Sequence, residues 1–171
     1  PSRRRIGAGE RRWLMTAAAA RLRALLDNDR PVVAPGAFTA MFARLIEDAG
    51  FPAVYLGGAG VANSLLGMPD LGIFTQTEMV TIADNVCQAV DVPVIVDGDT
   101  GYGGIHNVAR TVRLYERAGV AAIQLEDQTF PKKCGHFEGK QVVSRAEMLE
   151  RIHAAKEARS SADSILIIAR T

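Results

Sequence analysis

The chain is short of cysteine and aromatics and has no long apolar run, and each shortage removes a class of protein. Its 171 residues hold two cysteines, Cys87 and Cys134. Two thiols do not make the disulfide framework of a small secreted domain, so a reducing, cytoplasmic setting is expected, with Cys87 a small core residue on a helix. No apolar stretch approaches the roughly 20 residues of a membrane span. Lys plus Arg number 20 against 19 Asp plus Glu, so no field of one sign draws nucleic acid. Seven arginines face the single acid Glu10 within residues 3–23, but no recognition module or aromatic platform accompanies them. Gly57-Gly58-Ala59-Gly60 lacks the third glycine of a dinucleotide fingerprint.

What is present fits one substantial globular core: 48% of residues are hydrophobic and 23% charged. Residues 1–12 read as a loose arm, and a chain opening on Pro1 rather than Met is expected to have residues before it. Trp13 to Leu26 reads as a basic helix. A transit peptide would have this character, but an apolar stripe through Leu14, Leu22, Leu25 and Leu26 better suits a helix packed across the bottom of a barrel.

From there strands and helices alternate. Val32-Val33-Ala34 reads as a first strand. Phe38, Met41, Phe42, Leu45, Ile46 and Ala49 follow at helical spacing, and Gly50 stops the helix. Ala53–Leu56 is a second strand, running into a glycine turn where backbone can approach a ligand; a plain turn would look the same. Residues 61–74 read as a long loop. Thr75-x-x-Glu78 is a capping box opening a helix to about Val90. Val92–Val96 is a buried strand. A helix from about His106 to Ala118, capped by Gly119, buries Val108, Val112, Tyr115 and Ala118. Ala122–Leu125 is the fourth strand. Ser144-x-x-Glu147 is a second capping box, opening a helix lined by Met148, Leu149, Ile152 and Ala155. Ser164–Ala169 is the fifth strand. Such alternation implies parallel strands, and the polar candidates all fall at C-terminal strand ends, where barrels and open α/β sheets place their sites.

Two stretches carry chemistry. Asp97-Gly98-Asp99-Thr100-Gly101-Tyr102-Gly103 sets two carboxylates at a strand end, two residues apart and pointing the same way. They repel unless a cation lies between them, and Mg²⁺ takes one or two carboxylates plus waters and substrate; the bland alternative is a polar turn. Lys132-Lys133-Cys134-Gly135-His136 sets a thiol among cations, which lowers a thiol pKa and suits it to proton transfer. A surface cysteine between solvated cations is the alternative. Pro131 before it and Gly135 after it read as a stiff hinge and a mobile lid. His106 and His153 read as surface residues.

Both stretches, in this order and with Pro69-Asp70-Leu71-Gly72 upstream, resemble the isocitrate lyase / phosphoenolpyruvate mutase superfamily from about Pro31 to Thr171, most closely its 2-methylisocitrate lyase branch. The resemblance implies an α/β fold, a (β/α)8 TIM-type barrel. A whole barrel runs to about 250 residues, so this chain is expected to hold about the first five strand–helix units, with residues 1–30 an N-terminal arm and helix and 31–171 the N-terminal part of the catalytic barrel. Open strand edges would invite association.

The resemblance also assigns roles. Asp97, Asp99 and Glu126 would form the site for Mg²⁺, or Mn²⁺ in its place, with Asp127 a weaker candidate on the opposite face. Cys134 would exchange a proton with the departing carbanion, helped by Lys132 and His136. Tyr55, Gly57, Gly58, Asp70, Gly135 and Arg170 would bind substrate; a strand-five arginine suits bidentate grip on a carboxylate. Gly57 departs from the family, where many lyases carry Ser, and removes one hydrogen bond to substrate. The implied function is a Mg²⁺-dependent C–C lyase that cleaves a 2-hydroxy di- or tricarboxylate such as 2-methylisocitrate to pyruvate and succinate, in a cytoplasmic homo-oligomer, dimer or tetramer. Oxaloacetate decarboxylase or phosphonopyruvate-type chemistry is the nearest alternative, and a catalytically inactive barrel fragment or assembly subunit the alternative of another class.

Overall fold

The computed structural model describes residues 8–133 and 138–171, with side chains from Ala17 onward. Five strands, β1 (Gly36–Ala37), β2 (Val54–Leu56), β3 (Val94–Asp97), β4 (Ala122–Glu126) and β5 (Leu166–Arg170), lie side by side in chain order. Every neighbouring pair is parallel. The helices are α1 (Ala8–Leu26), α2 (Ala40–Asp48), α3 (Gly58–Val61), α4 (Gln76–Ala89), α5 (Ile105–Ala118) and α6 (Arg145–Ala158). A doubly wound sheet reverses its strand order at a switch point; an unbroken 1-2-3-4-5 order is the winding of a barrel wall.

Side-chain alternation divides the strands between two faces. Val54, Leu56, Val94, Val96, Ile123 and Leu125 join the main core with Met79, Val86, Val108, Val112 and Tyr115 of the helices. On the other face the register sets Ile95 beside Ala122 and Leu166, then Asp97 beside Gln124 and Ile168, then Glu126 beside Arg170. Apolar residues thus hold the N-terminal ends and charged residues the C-terminal ends. Ala18 and Leu22 of α1 close the apolar end against Ala121, Ala122, Ile95, Leu166 and Ile168. Complete burial of Leu22 is worth about 2 kcal/mol. Arg23 ties the same helix to the carbonyls of Ala162 (3.0 Å) and Asp163 (3.1 Å). The helix thus covers the apolar end of the sheet, although Leu26 of the expected stripe lies exposed and Leu14 is outside the residues whose side chains are described.

Several local expectations change, and α1 already starts at Ala8, within the stretch expected to be a loose arm. The first strand forms at Gly36–Ala37 rather than Val32–Ala34, and Val33 is exposed. Gly58–Val61 is helical, not an open turn, with Gly57 as its extended N-cap, and it continues as a π-turn at Ala62–Leu66 that shortens the expected loop. Its glycine serves packing: a Cβ at Gly60 would stand 3.1 Å from Phe38 Cβ. The Thr75–Glu78 box forms both arms. At α6, Ser144 caps Glu147 N–H at 3.2 Å, but the Glu147 carboxylate turns to Arg151 at 2.7 Å, a charged partner that binds more strongly than a backbone amide. Leu149 of that helix is exposed rather than packed.

Candidate functional site

The polar ends of β2, β3, β4 and β5 and the segments after them gather the acidic residues. Asp97 ends β3. Its Oδ1 accepts the Asp99 N–H at 3.0 Å and its Oδ2 the Gly58 N–H at 3.4 Å. The chain turns sharply after it: Asp99 has φ 47° and Gly101 φ 91°. The two carboxylates therefore converge through a left-handed turn, not along an extended strand as their spacing suggested. A glycine between them is obligatory, since a Cβ at Gly98 would lie 2.6 Å from Ile123 Cγ1 and 2.9 Å from the Gln124 carbonyl. Gly58 opens the space they face: a Cβ there would stand 3.3 Å from Asp97 Oδ2 and 3.6 Å from Asp99 Oδ1.

Lys132 enters this cluster. It is 5% exposed, and its ammonium lies 2.7 Å from each oxygen of Asp70 and 2.6 Å from Asp99 Oδ1. Asp70, whose spacing alone allowed a simple turn residue, is thus a buried member of the site. Burial works against a charged lysine, but Asp99 and the hydrogen bonds to Asp70 and Asp99 outweigh it and hold Lys132 protonated. Burial and then Asp97 push the Asp99 carboxyl up to about 7, against the pull of Lys132. Lys132 is therefore the counter-charge of the acids; the thiol it was expected to tune, Cys134, lies outside the described residues.

Glu126 ends β4, and its Oε2 accepts from Gln128 Nε2 at 3.0 Å. Its Oε1 is buried without a hydrogen-bond partner among the described residues. Burial raises its pKa, the Gln128 hydrogen bond opposes this, and Asp97 adds to it. Tyr55 and Arg170 face the same space: burial and then Asp97 raise the Tyr55 hydroxyl, and Arg170 lowers it. Arg170 itself is exposed. Gly57 borders the Tyr55 ring, its Cβ position 3.3 Å from Cε1. Cys134, Gly135 and His136 lie outside the described residues. His106 and His153 are exposed, as expected.

Among the described residues, no three His, Cys, Asp or Glu side chains are gathered closely enough to hold an ion unaided. That arrangement still suits Mg²⁺, which keeps several waters and takes only one or two carboxylates directly. Asp97 and Asp99 flank the space left by Gly58, and the orphaned Glu126 oxygen offers a further acceptor. Four acids, Asp70, Asp97, Asp99 and Glu126, surround one buried ammonium.

Two residues of this region carried no signal in the sequence. Gln128 is 6% exposed and bonds to both Glu126 and Lys133. Arg151, 9% exposed, donates to the Gln128 carbonyl at 3.2 Å. Only the Glu147–Arg151 spacing of four, one helical turn, hinted at a paired arginine.

The fold and site define a (β/α)-barrel wall bearing an acidic, lysine-bridged site at its C-terminal strand ends. The sequence model of the phosphoenolpyruvate phosphomutase family matches residues 22–171. The 2,3-dimethylmalate lyase of Eubacterium barkeri is 54% identical over 153 residues, 90% of this chain and 53% of that one. The 2-methylisocitrate lyase of Aeropyrum pernix is 51% identical over 150 residues, 88% of this chain and 47% of that one. An oxaloacetate acetylhydrolase solved with 3,3-difluorooxalacetate superposes with a TM-score of 0.87 at 44% identity, covering 91% of this chain and 54% of that one. A phosphonopyruvate hydrolase solved with oxalate and Mg²⁺ superposes with a TM-score of 0.81 at 35% identity, covering 90% and 52%. The chain belongs to the phosphoenolpyruvate mutase / isocitrate lyase superfamily. It spans about half the length of the curated relatives it matches.

Proposed function

We propose that the protein carrying this chain is a Mg²⁺-dependent carbon–carbon lyase that cleaves a 2-hydroxy di- or tricarboxylate to pyruvate and a second carboxylate. The observation that carries this reading is the buried Lys132 bridging Asp70 and Asp99, beside Asp97 and an unpartnered Glu126 oxygen. Such a site takes a hard cation and, through it, an anionic oxygen substrate. Asp97 and Asp99 would hold the ion, with Glu126 reaching it through water. When bound, the ion supplies Lewis acidity to the 2-hydroxy carboxylate end of the substrate.

The remaining roles fall to the chain. Lys132 keeps Asp70 and Asp99 in place and limits the negative charge that an anionic substrate meets. Arg170 and the main chain at Gly57 and Gly58 receive the 2-oxo acid portion, with Tyr55 as one wall. A base takes the proton of the 2-hydroxyl; as the bond between C2 and C3 breaks, that oxygen forms the 2-oxo group and the C2–C3 electron pair stays on the departing carboxylate fragment as an enediolate. Cys134 gives that fragment a proton, as the resemblance assigns it, and Gly135 and His136 bind its carboxylate. Assembly as a homo-oligomer and a cytoplasmic setting belong to the same proposal. No helix among the described residues is long and apolar enough to cross a membrane.

Two substrates test the reading side by side. 2-Methylisocitrate and 2,3-dimethylmalate both carry the required 2-hydroxy acid, and relatives at 51% and 54% identity bear their names. Pyruvate released by the whole protein, abolished by EDTA and lowered at least 100-fold by Cys134→Ser, supports the lyase. Turnover of oxaloacetate alone, indifferent to that substitution, supports the second reading, oxaloacetate decarboxylase or phosphonopyruvate-type chemistry on the same scaffold, to which the likeness to an oxaloacetate acetylhydrolase lends weight. Release of pyruvate that survives EDTA sinks the metal assignment.

A further inference from the structure

Lys132 can reach Asp70 and Asp99 only if the backbone beneath it is held, because its own side chain is long and flexible. The segment that holds it runs out from β4 and returns before α6. At its neck, Thr129 N–H donates to the Gln141 carbonyl (2.9 Å) and Val143 N–H to the Asp127 carbonyl (2.8 Å), around an antiparallel bridge between Gln128 and Val142. Gln128 sits inside this neck, 6% exposed, with all of its side-chain amide in use. Its Oε1 accepts the Lys133 N–H at 3.0 Å. Its Nε2 donates to the Lys133 carbonyl at 2.9 Å and to Glu126 Oε2 at 3.0 Å. Its own carbonyl accepts from Arg151 of α6 at 3.2 Å, and that guanidinium is fixed in turn by Glu147.

One side chain therefore pairs with both main-chain groups of the residue following Lys132, as a neighbouring strand would. The same amide leaves one oxygen of Glu126 occupied and the other free. We infer that Gln128 is a positioning residue of the site: it fixes the backbone that delivers the Lys132 ammonium to Asp70 and Asp99, and it orients Glu126 so that Oε1 alone faces the acidic cluster. Gly72 completes the seat, since a Cβ there would stand 3.3 Å from Lys132 Cγ. The inference deepens the lyase reading and rests on it for its kinetic consequence only.

The test uses the whole protein and Gln128→Met, which keeps the length and loses every side-chain hydrogen bond. Supporting groups of this kind cost about 10- to 100-fold when removed. The expected result is a kcat lowered by that factor with KM within threefold. Exchange of the Lys133 amide hydrogen should also quicken about tenfold or more, as loss of one protecting hydrogen bond requires. Gln128→Glu is the second variant, should Gln128→Met not fold. It keeps the acceptor for Lys133 N–H but loses both donations and sets a charge against Glu126; the Lys133 amide should stay protected while kcat still falls at least tenfold. A folded Gln128→Met with kcat within threefold of the parent overturns the proposal, even if its thermal midpoint drops, because that is the mark of packing alone. If the parent turns over none of the 2-hydroxy acids, the lyase reading fails by itself. The clamp then stands on quickened Lys133 exchange in Gln128→Met and falls if that exchange is unchanged.

Discussion

Replacing Lys132 with Met would strip the acidic cluster of its buried cation while keeping the volume. The ammonium lies 2.7 Å from Asp70 and 2.6 Å from Asp99, with all three side chains 5–6% exposed. Removing one partner of such a buried pair costs about 3–5 kcal/mol, since the carboxylates left behind are buried without a counter-charge. For a chain of this size or somewhat larger that is a fall in thermal midpoint of roughly 6–20 °C. The sign with pH follows from Asp99, whose folded-state carboxyl lies at about 7 against 3.8 when unperturbed. Between those values the folded protein binds the proton more tightly than the unfolded chain, so stability falls as pH rises through that window. Without Lys132, which lowers this value, the folded carboxyl rises further and the fall extends to higher pH. The deficit of Lys132→Met should be greatest at pH 7.5 and shrink towards pH 5. Thermal unfolding of the EDTA-treated whole protein at both pH values measures it. A midpoint within 2 °C of the parent at pH 7.5, or a deficit that does not shrink at pH 5, would refute the view that Lys132 neutralises the cluster.

Gly98→Ala should destabilise by about 2 kcal/mol or more in denaturant unfolding, because its Cβ would meet the Gln124 backbone oxygen at 2.9 Å. Gly57→Ser, whose Cβ position meets only the Tyr55 ring at 3.3 Å, should fold normally and alter KM rather than stability. Thr75→Ala should cost about 1 kcal/mol by removing the α4 cap. The backbone and side-chain hydrogen bonds from Thr75 hold Glu78 below its usual range. That contribution is therefore present above the ordinary glutamate pKa and fades as pH falls through the lowered folded value, so the parent-to-variant difference in a pH series should narrow in acid. The Cys87 thiol, pushed up to about 12 first by burial and then by Asp84, should react with iodoacetamide at pH 8 at least about 100-fold more slowly than in the unfolded chain, read by peptide-resolved mass spectrometry.

Elements were legible wherever one short stretch carries its own signal. The α4 box, the apolar face of α5 with Gly119 at its end, and the buried strands β2 to β4 needed no knowledge of distant partners. Expectations failed where a tertiary contact decided the outcome. Gly57–Gly60 holds three glycines in four residues, a composition that favours a turn, yet a helix begins at Gly58, with Phe38 so near that a Cβ at Gly60 would stand 3.1 Å from it. At α6 the predicted Glu147 arm is taken by Arg151, whose other nitrogen serves Gln128 across 23 residues. The expected strand at Val32–Ala34 gives way to pairing at Gly36–Ala37, with the Pro35 carbonyl accepting from Tyr55.

The site follows the same division. Asp97 and Asp99 announce a cation because two carboxylates stand on a glycine turn after an apolar strand. Lys132 announces nothing about Asp70, 62 residues away, until parallel winding brings the β2 and β4 strand ends to one rim. The physical reason is that a charge's role depends on its burial and its nearest counter-charge, and neither is encoded locally. Gln128 marks the far end of that scale. An uncharged amide two residues past a glutamate has no spacing rule to flag it, and its importance appears only once its oxygen and nitrogen are seen to hold one peptide unit between them. In a barrel the strands deliver acids to the rim by register, but placing a flexible lysine among them requires support from the connecting segment, and that support is read from hydrogen bonds rather than from residue type.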